Sequence, residues 1–392
     1  MNKLKCMMVC LIICSLFSCG KKKADDPMGE NGRTKRTENL LENLKVNSAK
    51  GYLFGHQDAT LYGEGWADDS ARSDVEVITG DMPALVGFEI GGIETDDSLN
   101  IYSTPFDKIR KEIINQYDRG GVVTISWQCK NPSKGSSLSD IMEGGDKHEQ
   151  FLGWIDKVAS FMKSLETPYG VRVPVIFRPW QTNGESKFWW DANACTKQEY
   201  LALWQMVIER FDKNDVVNVL YAYSSSANED ATTEAYLDRY PGDENIDILG
   251  INAYCHAAEG DSTSLKSFAQ TLGKNLKMLS ELGKKKNKPI AITETGYKSI
   301  PCDNWWTHTL SQAIGNNPIS YVMIWRNAHE VPNLYYVPFP GQRSTEDFVK
   351  FYNEKRTLFL HDINGLYLEN LKSASNLNGN LNCSKELEHY AS

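Results

Sequence analysis

Short apolar, β-branched runs alternate along this chain with longer segments whose apolar positions recur every three or four residues. The runs predict eight strands: Gly51–Gly55, Ala84–Ile90, Gly121–Trp127, Val173–Pro179, Val216–Tyr223, Ile246–Asn252, Pro289–Glu294 and Ser320–Trp325. The longer segments predict helices over Phe106–Arg119, Lys147–Leu165, Lys197–Lys213, Ala231–Tyr240, Ser264–Lys285, Trp305–Ile314 and Thr345–Glu354. Thr60–Gly80 and Glu94–Tyr102 carry neither period and read as loops or short helices. Near-continuous apolar strands separated by helices belong to a parallel sheet covered on both faces. Eight such units in one domain predict an α/β fold, a (β/α)8 TIM barrel. A doubly wound open sheet is the alternative, but no GxGxxG follows the first run to mark a dinucleotide site.

In a barrel, chemistry gathers where strands end and βα loops begin. Those ends carry His56 and Gln57, Glu89, Trp127 and Gln128, Arg178 to Gln181, Tyr223, Asn252 and Tyr254, Glu294, and finally Trp325, Arg326 and Asn327. Glu294 is the sharpest candidate, because it closes the apolar run Pro289-Ile290-Ala291-Ile292-Thr293, where a carboxylate is costly unless paired or used. Arg178 and Tyr254 are available as its donors. Glycoside cleavage needs two carboxyl groups, about 5–5.5 Å apart in a retaining enzyme. The ends of strands four and seven face each other across a barrel mouth, so the partner is expected just after strand four.

Composition narrows the reading. Ten Trp, eighteen Tyr and fourteen Phe among 392 residues suit a cleft that stacks sugar rings, although most such rings belong to a core. A net charge of −9 without a long basic stretch argues against nucleic acid and leaves a neutral polysaccharide or oligosaccharide open as partner. No Cys/His set has metal spacing and no GxSxG elbow is present, so no metal, cofactor or acyl-transfer chemistry is expected. Lys3 and Lys5 precede an apolar run from Met7 to Phe17, too short to span a bilayer. Its end, Leu16-Phe17-Ser18-Cys19-Gly20, resembles a bacterial lipobox. That resemblance implies a signal over residues 1–19, lipidation of Cys19, a flexible polar tether over residues 20–36 and a barrel over 37–392. The expectation is a monomeric outer-membrane lipoprotein on the periplasmic or cell-surface face. Five cysteines lie beyond the signal, an odd number with no CxxC pair, so buried free thiols are expected.

Residues Phe177 to Asp191 read FRPWQTNGESKFWWD. This segment resembles the Arg-Pro-Trp-His-Glu … Trp-Phe-Trp-Trp stretch of glycoside hydrolase family 26, whose main activity is endo-β-1,4-mannanase. Gly55-His56-Gln57-Asp58, Ser73-Asp74 through Gly91-Gly92, Gly120-Gly121 through Asn131-Pro132, Thr293-Glu294-Thr295-Gly296 and Trp325-Arg326-Asn327-Ala328 resemble its other strand-end motifs in the same order, from about residue 37 to about 366. The resemblance implies Glu294 as nucleophile, Tyr254 bonded to it, Arg178 orienting carboxylates, Trp325 as a sugar platform, and Arg326 and Asn327 shaping neighbouring subsites. Trp127, Gln128, Gln181, Trp190 and His56 are expected to line the same cleft. The chain departs from the pattern where Gln181 stands for His, Thr182 for the acid/base Glu, Lys187 for Trp and Gln128 for His. A threonine hydroxyl cannot act as general acid, a contribution of about 10²–10⁴-fold. Glu185, three residues on, is the expected replacement acid/base, with Glu89 as a second substitute. The alternative is a glycan-binding protein that kept the fold and lost turnover.

Overall fold

The computed structural model describes residues 24, 26–67, 72–133, 138–181 and 188–369. Eight parallel strands form a closed barrel: β1 (Tyr52–Gln57), β2 (Leu85–Glu89), β3 (Val122–Trp127), β4 (Val175–Pro179), β5 (Val219–Ser226), β6 (Ile248–Cys255), β7 (Ile290–Tyr297) and β8 (Ile319–Ile324). Each pairs with its chain neighbour, and β8 closes onto β1 with Leu53 opposite Tyr321 and His56 opposite Ile324. The short strand Thr357–Leu358 adds beside the start of β1. The helices are α1 (Lys35–Asn47), α2 (Asp74–Thr79), α3 (Phe106–Asp118), α4 (His148–Lys163), α5 (Lys197–Lys213), α6 (Thr233–Leu237), α7 (Ser262–Lys286), α8 (Ser311–Ile314) and α9 (Thr345–Tyr352). A π-helical turn, Trp306–Leu310, leads into α8. The ambiguous segment after β1 resolves into the two-residue ladder Tyr62–Gly63 with Trp66–Ala67, followed by α2.

Strand parity divides the core. Leu53, Leu85, Val122, Ile176, Leu220, Ile248, Ala291 and Tyr321, one from each strand, form an inner cluster inside the barrel. Alternate residues such as Phe54, Val123, Phe177 and Ile251 belong to the larger cluster between strands and helices. Above the apolar inner layer, the inward positions turn polar, with Thr124, Ser126, Arg178, Ser224, Asn252 and Thr293 all buried.

Helix α1 is not anticipated by the apolar periodicity, and it closes the bottom of the barrel. Thr34 caps it by accepting from the Thr37 amide, while Leu40 and Leu44 join the inner cluster. Burial of each of these leucines contributes about 1.5–3 kcal/mol. The preceding residues correct the expected tether. Arg33 makes a two-pronged pair with Asp247 at 2.7 and 2.8 Å, the Arg172 amide donates to Asp26, and the Ala24 amide donates to the Tyr169 carbonyl. Residues 26–36 are therefore part of the folded domain. Their polar composition resembles a linker because these three partners lie more than a hundred residues away and are invisible locally.

Candidate active site

The C-terminal ends of the strands surround a cavity of about 650 Å³. Gln128, Gln181, Tyr254, His256, Glu294 and Lys298 supply its polar lining, and Phe188, Cys255, Trp325, Leu334 and Tyr336 its remaining wall. Among the described residues, Glu294 is the one carboxylate in that lining.

Glu294 reaches the cavity through an irregularity in β7. Ile292 pairs with Ile251 of β6, but the next partner of Asn252 is Glu294, so Thr293 is an extra residue. Plain alternation from inward Ala291 would turn residue 294 outward. The bulge turns it inward, beside Asn252 and Tyr254. Thr293 is held by the Ser224 hydroxyl at 2.6 Å and by the Asn252 side chain at 3.0 Å. It needs the space over Gly250, where a Cβ would lie 2.3 Å from Thr293 Cγ2.

The carboxylate is held from two sides. Tyr254 donates its hydroxyl to Glu294 Oε1 at 2.6 Å, and Arg178 donates Nη1 to Oε2 at 3.2 Å. Arg178 is fully buried, and Glu294 is 5 % exposed, toward the cavity. Burial, and after it the Glu294 charge, pushes the Tyr254 hydroxyl well above the usual phenol range, so it remains a donor. Charge-assisted hydrogen bonds of this kind fix the orientation of a carboxylate.

On β4, the strand ends in Trp180, a buried residue in left-handed backbone conformation (φ 51°). This turn presents Gln181 to the cavity, while the Trp190 indole donates to the Gln181 carbonyl at 2.9 Å from behind. Trp190 stacks on Phe188 with ring centres 4.5 Å apart and is fully buried. Gln128 donates its side-chain amide to the Tyr102 hydroxyl, and Tyr102 packs edge-on to Trp325, which is half-buried in the cavity wall.

Several expected cleft residues sit elsewhere. His56 has the parity of Phe54, whose ring packs on Phe348 and Phe359, so it faces the helical layer; burial lowers its pKa to about 3. Trp127 also has outward parity: it packs on Trp180 and donates to Glu94 at 3.0 Å. Trp190 is a support behind the cavity. Arg326 lies flat on Tyr102, 3.6 Å from the ring centre, and pairs with Glu330. Asn327 clamps the loop after β8 by accepting from the Tyr336 and Val337 amides and donating to the Val337 carbonyl. Glu89 is fully buried and accepts from the Gly91 and Gln128 amides and the Ser126 hydroxyl, all at 2.7 Å. Glu185, Thr182 and Lys187 lie outside the described residues, as do Cys19 and Cys383.

Phe188, Cys255, His256, Lys298, Leu334 and Tyr336 were not singled out by the strand-end reading. Cys255, His256 and Lys298 stand within four residues of named strand ends, and Phe188 follows Gln181 by seven. Tyr336 arrives by tertiary packing, its ring against Gly296, where a Cβ would lie 2.3 Å away.

Fold and site together define a (β/α)8 barrel with a lined cavity at the C-terminal rim. The family model for glycosyl hydrolase family 26 matches residues 30–318, and the chain belongs to that family. A solved GH26 β-mannanase from Bacteroides ovatus is 44% identical, with a TM-score of 0.82 over 86% of this chain and 98% of that one. A mannan endo-1,4-beta-mannosidase from Bifidobacterium adolescentis is 29% identical over 88% of this chain. One from Caldalkalibacillus mannanilyticus is 26% identical over 57% of it. The chain spans 36% and 45% of the lengths of these two enzymes.

Proposed function

We propose that the protein is a retaining glycoside hydrolase that cleaves β-1,4-mannan or a related β-glycan, with Glu294 as nucleophile. The observation that carries this reading is the buried Glu294 carboxylate, clamped by Arg178 and Tyr254 and aimed into the cavity. In this reaction Glu294 attacks the anomeric carbon while a second acid protonates the departing oxygen, and water then releases the sugar from the enzyme. Trp325, Phe188 and Tyr336 offer ring faces to the pyranoses, and Gln128 and Gln181 offer amides to their hydroxyls. Glu185 is proposed as the acid/base. Mannan, glucomannan, galactomannan and mixed-linkage glucan incubated with the protein should identify the substrate. Glu294→Ala should abolish release of oligosaccharides, and Glu185→Ala should reduce it strongly.

A second reading has a specific support: Gln181 and Thr182 occupy the places where the family has His and its acid/base Glu. Under it the protein binds glycan without cutting, and calorimetry would register binding while product analysis stays blank. We further propose that Cys19 is lipidated and anchors the protein at the outer membrane. Cys19→Ser should then move it from the membrane fraction to the soluble one.

A further inference from the structure

A (β/α)8 barrel has two ends, and the described ends of this chain both meet the one opposite the cavity. The Ala24 amide bonds the Tyr169 carbonyl in the loop entering β4, Thr34 bonds the Val217 carbonyl ahead of β5, and Arg33 pairs with Asp247 ahead of β6. At the other terminus, the Tyr367 hydroxyl donates to the Gly121 carbonyl ahead of β3, and Asn43 of α1 donates to the Leu366 and Leu368 carbonyls. This face also carries exposed apolar side chains: Met28 (53%), Tyr169 (53%) and Leu368 (66%). Met28 bridges to Thr34 at the start of α1, the Lys35 amide bonds the Pro27 carbonyl, the Lys35 ammonium pairs with Glu369 beside Leu368, and Tyr169 holds Ala24 of the same N-terminal segment.

We infer that this N-terminal face is a membrane-facing surface, resting on lipid through Met28, Tyr169 and Leu368 and holding the cavity mouth away from the bilayer. The inference rests on the proposed lipidation of Cys19. Five peptide units separate Cys19 from Ala24, and a fully extended chain of that length spans at most about 18 Å. An acyl anchor at Cys19 therefore keeps the Ala24 end of the barrel within that distance of the lipid surface. At such short range the local concentration of bilayer is high, so apolar contacts too weak to bind membrane alone suffice to set orientation. No described helix is long and apolar enough to cross a membrane. The consequence is functional: a long polysaccharide reaches the cavity from the aqueous side without passing between barrel and bilayer.

The test uses the full lipidated chain in vesicles of phosphatidylethanolamine and phosphatidylglycerol, compared with the soluble Cys19→Ser chain by hydroxyl-radical footprinting. Oxidation of Met28 and Tyr169 should fall severalfold on vesicles, while Trp325 and His329 at the mouth oxidise equally in both states. Protection of the mouth, or of neither face, overturns the orientation while leaving the anchor intact. A chain that fails to float with vesicles overturns the anchor reading, and the orientation with it. The double variant Met28→Glu, Leu368→Glu changes only exposed positions. It should still float while Tyr169 loses its protection, and unchanged protection of Tyr169 would exclude the apolar contact.

Discussion

The carboxylates under the barrel mouth are handled in opposite ways on its two sides. On the β7 side, Glu294 meets Arg178 and Tyr254 and opens onto the cavity. On the β1–β2 side, Asp58 and Glu89 are sealed. Tyr62 donates to Asp58 at 2.6 Å, Arg326 donates to Tyr62, and Gln128 joins Tyr102 to Glu89 through its side chain and its backbone amide. Burial raises Asp58 to about 6 and Glu89 to about 7, ahead of the opposing effect of their hydrogen bonds. Residue type alone does not separate the proposed nucleophile from buried scaffolding carboxylates. Access to the cavity and the charge of the partner are what differ.

The largest expected effect breaks this contrast directly. Glu294→Ala should lower kcat by on the order of 10⁴-fold or more, the scale of losing a nucleophile. Glu89→Gln should leave most turnover in place, because Glu89 is fully buried and does not line the cavity. Initial rates on the best mannan substrate, with circular dichroism to verify folding, decide it. Equal losses in the two variants would erase the distinction.

Much of this is legible in the sequence, and the rest has separate local causes. All eight strands fall within a few residues of their expected places, since apolar β-branched runs survive any packing detail. The β7 bulge is invisible, because one extra residue does not disturb an apolar run, yet it decides which way residue 294 points. Parity is legible at the other ends: His56 follows Phe54 by two residues and Trp127 follows Ile125, both on the outward side, whereas Gln128 lies one step on and faces in. Helix α1 is hard to read from the sequence because its apolar stripe is narrow and meets the barrel floor rather than the sheet's outer face.

The sealed cluster should show itself in stability against pH. Glu89 titrates near 4.5 when unfolded and near 7 when folded, so between those values the native state holds the extra proton. Stability from Glu89 is therefore highest at the acidic end of that window and declines as pH rises through it, by up to about 3 kcal/mol; Asp58 acts in the same direction from about 4 to 6. His56, lowered from 6.5 to about 3, acts oppositely: the unfolded chain takes the proton first, and stability is lost as pH falls from 6.5 toward 3. Urea titrations from pH 4 to 8 should show the two trends offsetting each other in the wild type. Glu89→Gln should expose the His56 limb as a steeper rise with pH. An unchanged profile would mean that Glu89 stays ionised throughout.

A smaller effect tests the clamp on Glu294. Tyr254→Phe removes a 2.6 Å hydrogen bond to a carboxylate, worth about 1.5–3 kcal/mol. If that bond is stronger in the reacting state than at rest, kcat should fall roughly tenfold to a hundredfold with little change in KM. A fall seen only in KM would make Tyr254 a sugar contact instead.

The smallest effect concerns the far part of the loop after β8, from Asn327 to Val337, which closes the wall beside Glu294. Asn327 bonds the Tyr336 and Val337 amides and the Val337 carbonyl, and also donates to Asp74. Asn327→Ala leaves those buried backbone groups without partners, at a cost of about 1–3 kcal/mol in stability. Its effect on catalysis should be confined to KM, because Tyr336 lines the cavity whereas Glu294, Arg178 and Tyr254 hold one another without the loop. A severalfold rise in KM with kcat retained would mark Asn327 as a positioning residue for the sugar-facing wall. A collapse of kcat would instead tie the loop to the nucleophile, and the Tyr254–Tyr336 ring contact, 5.9 Å between centres, would be the route.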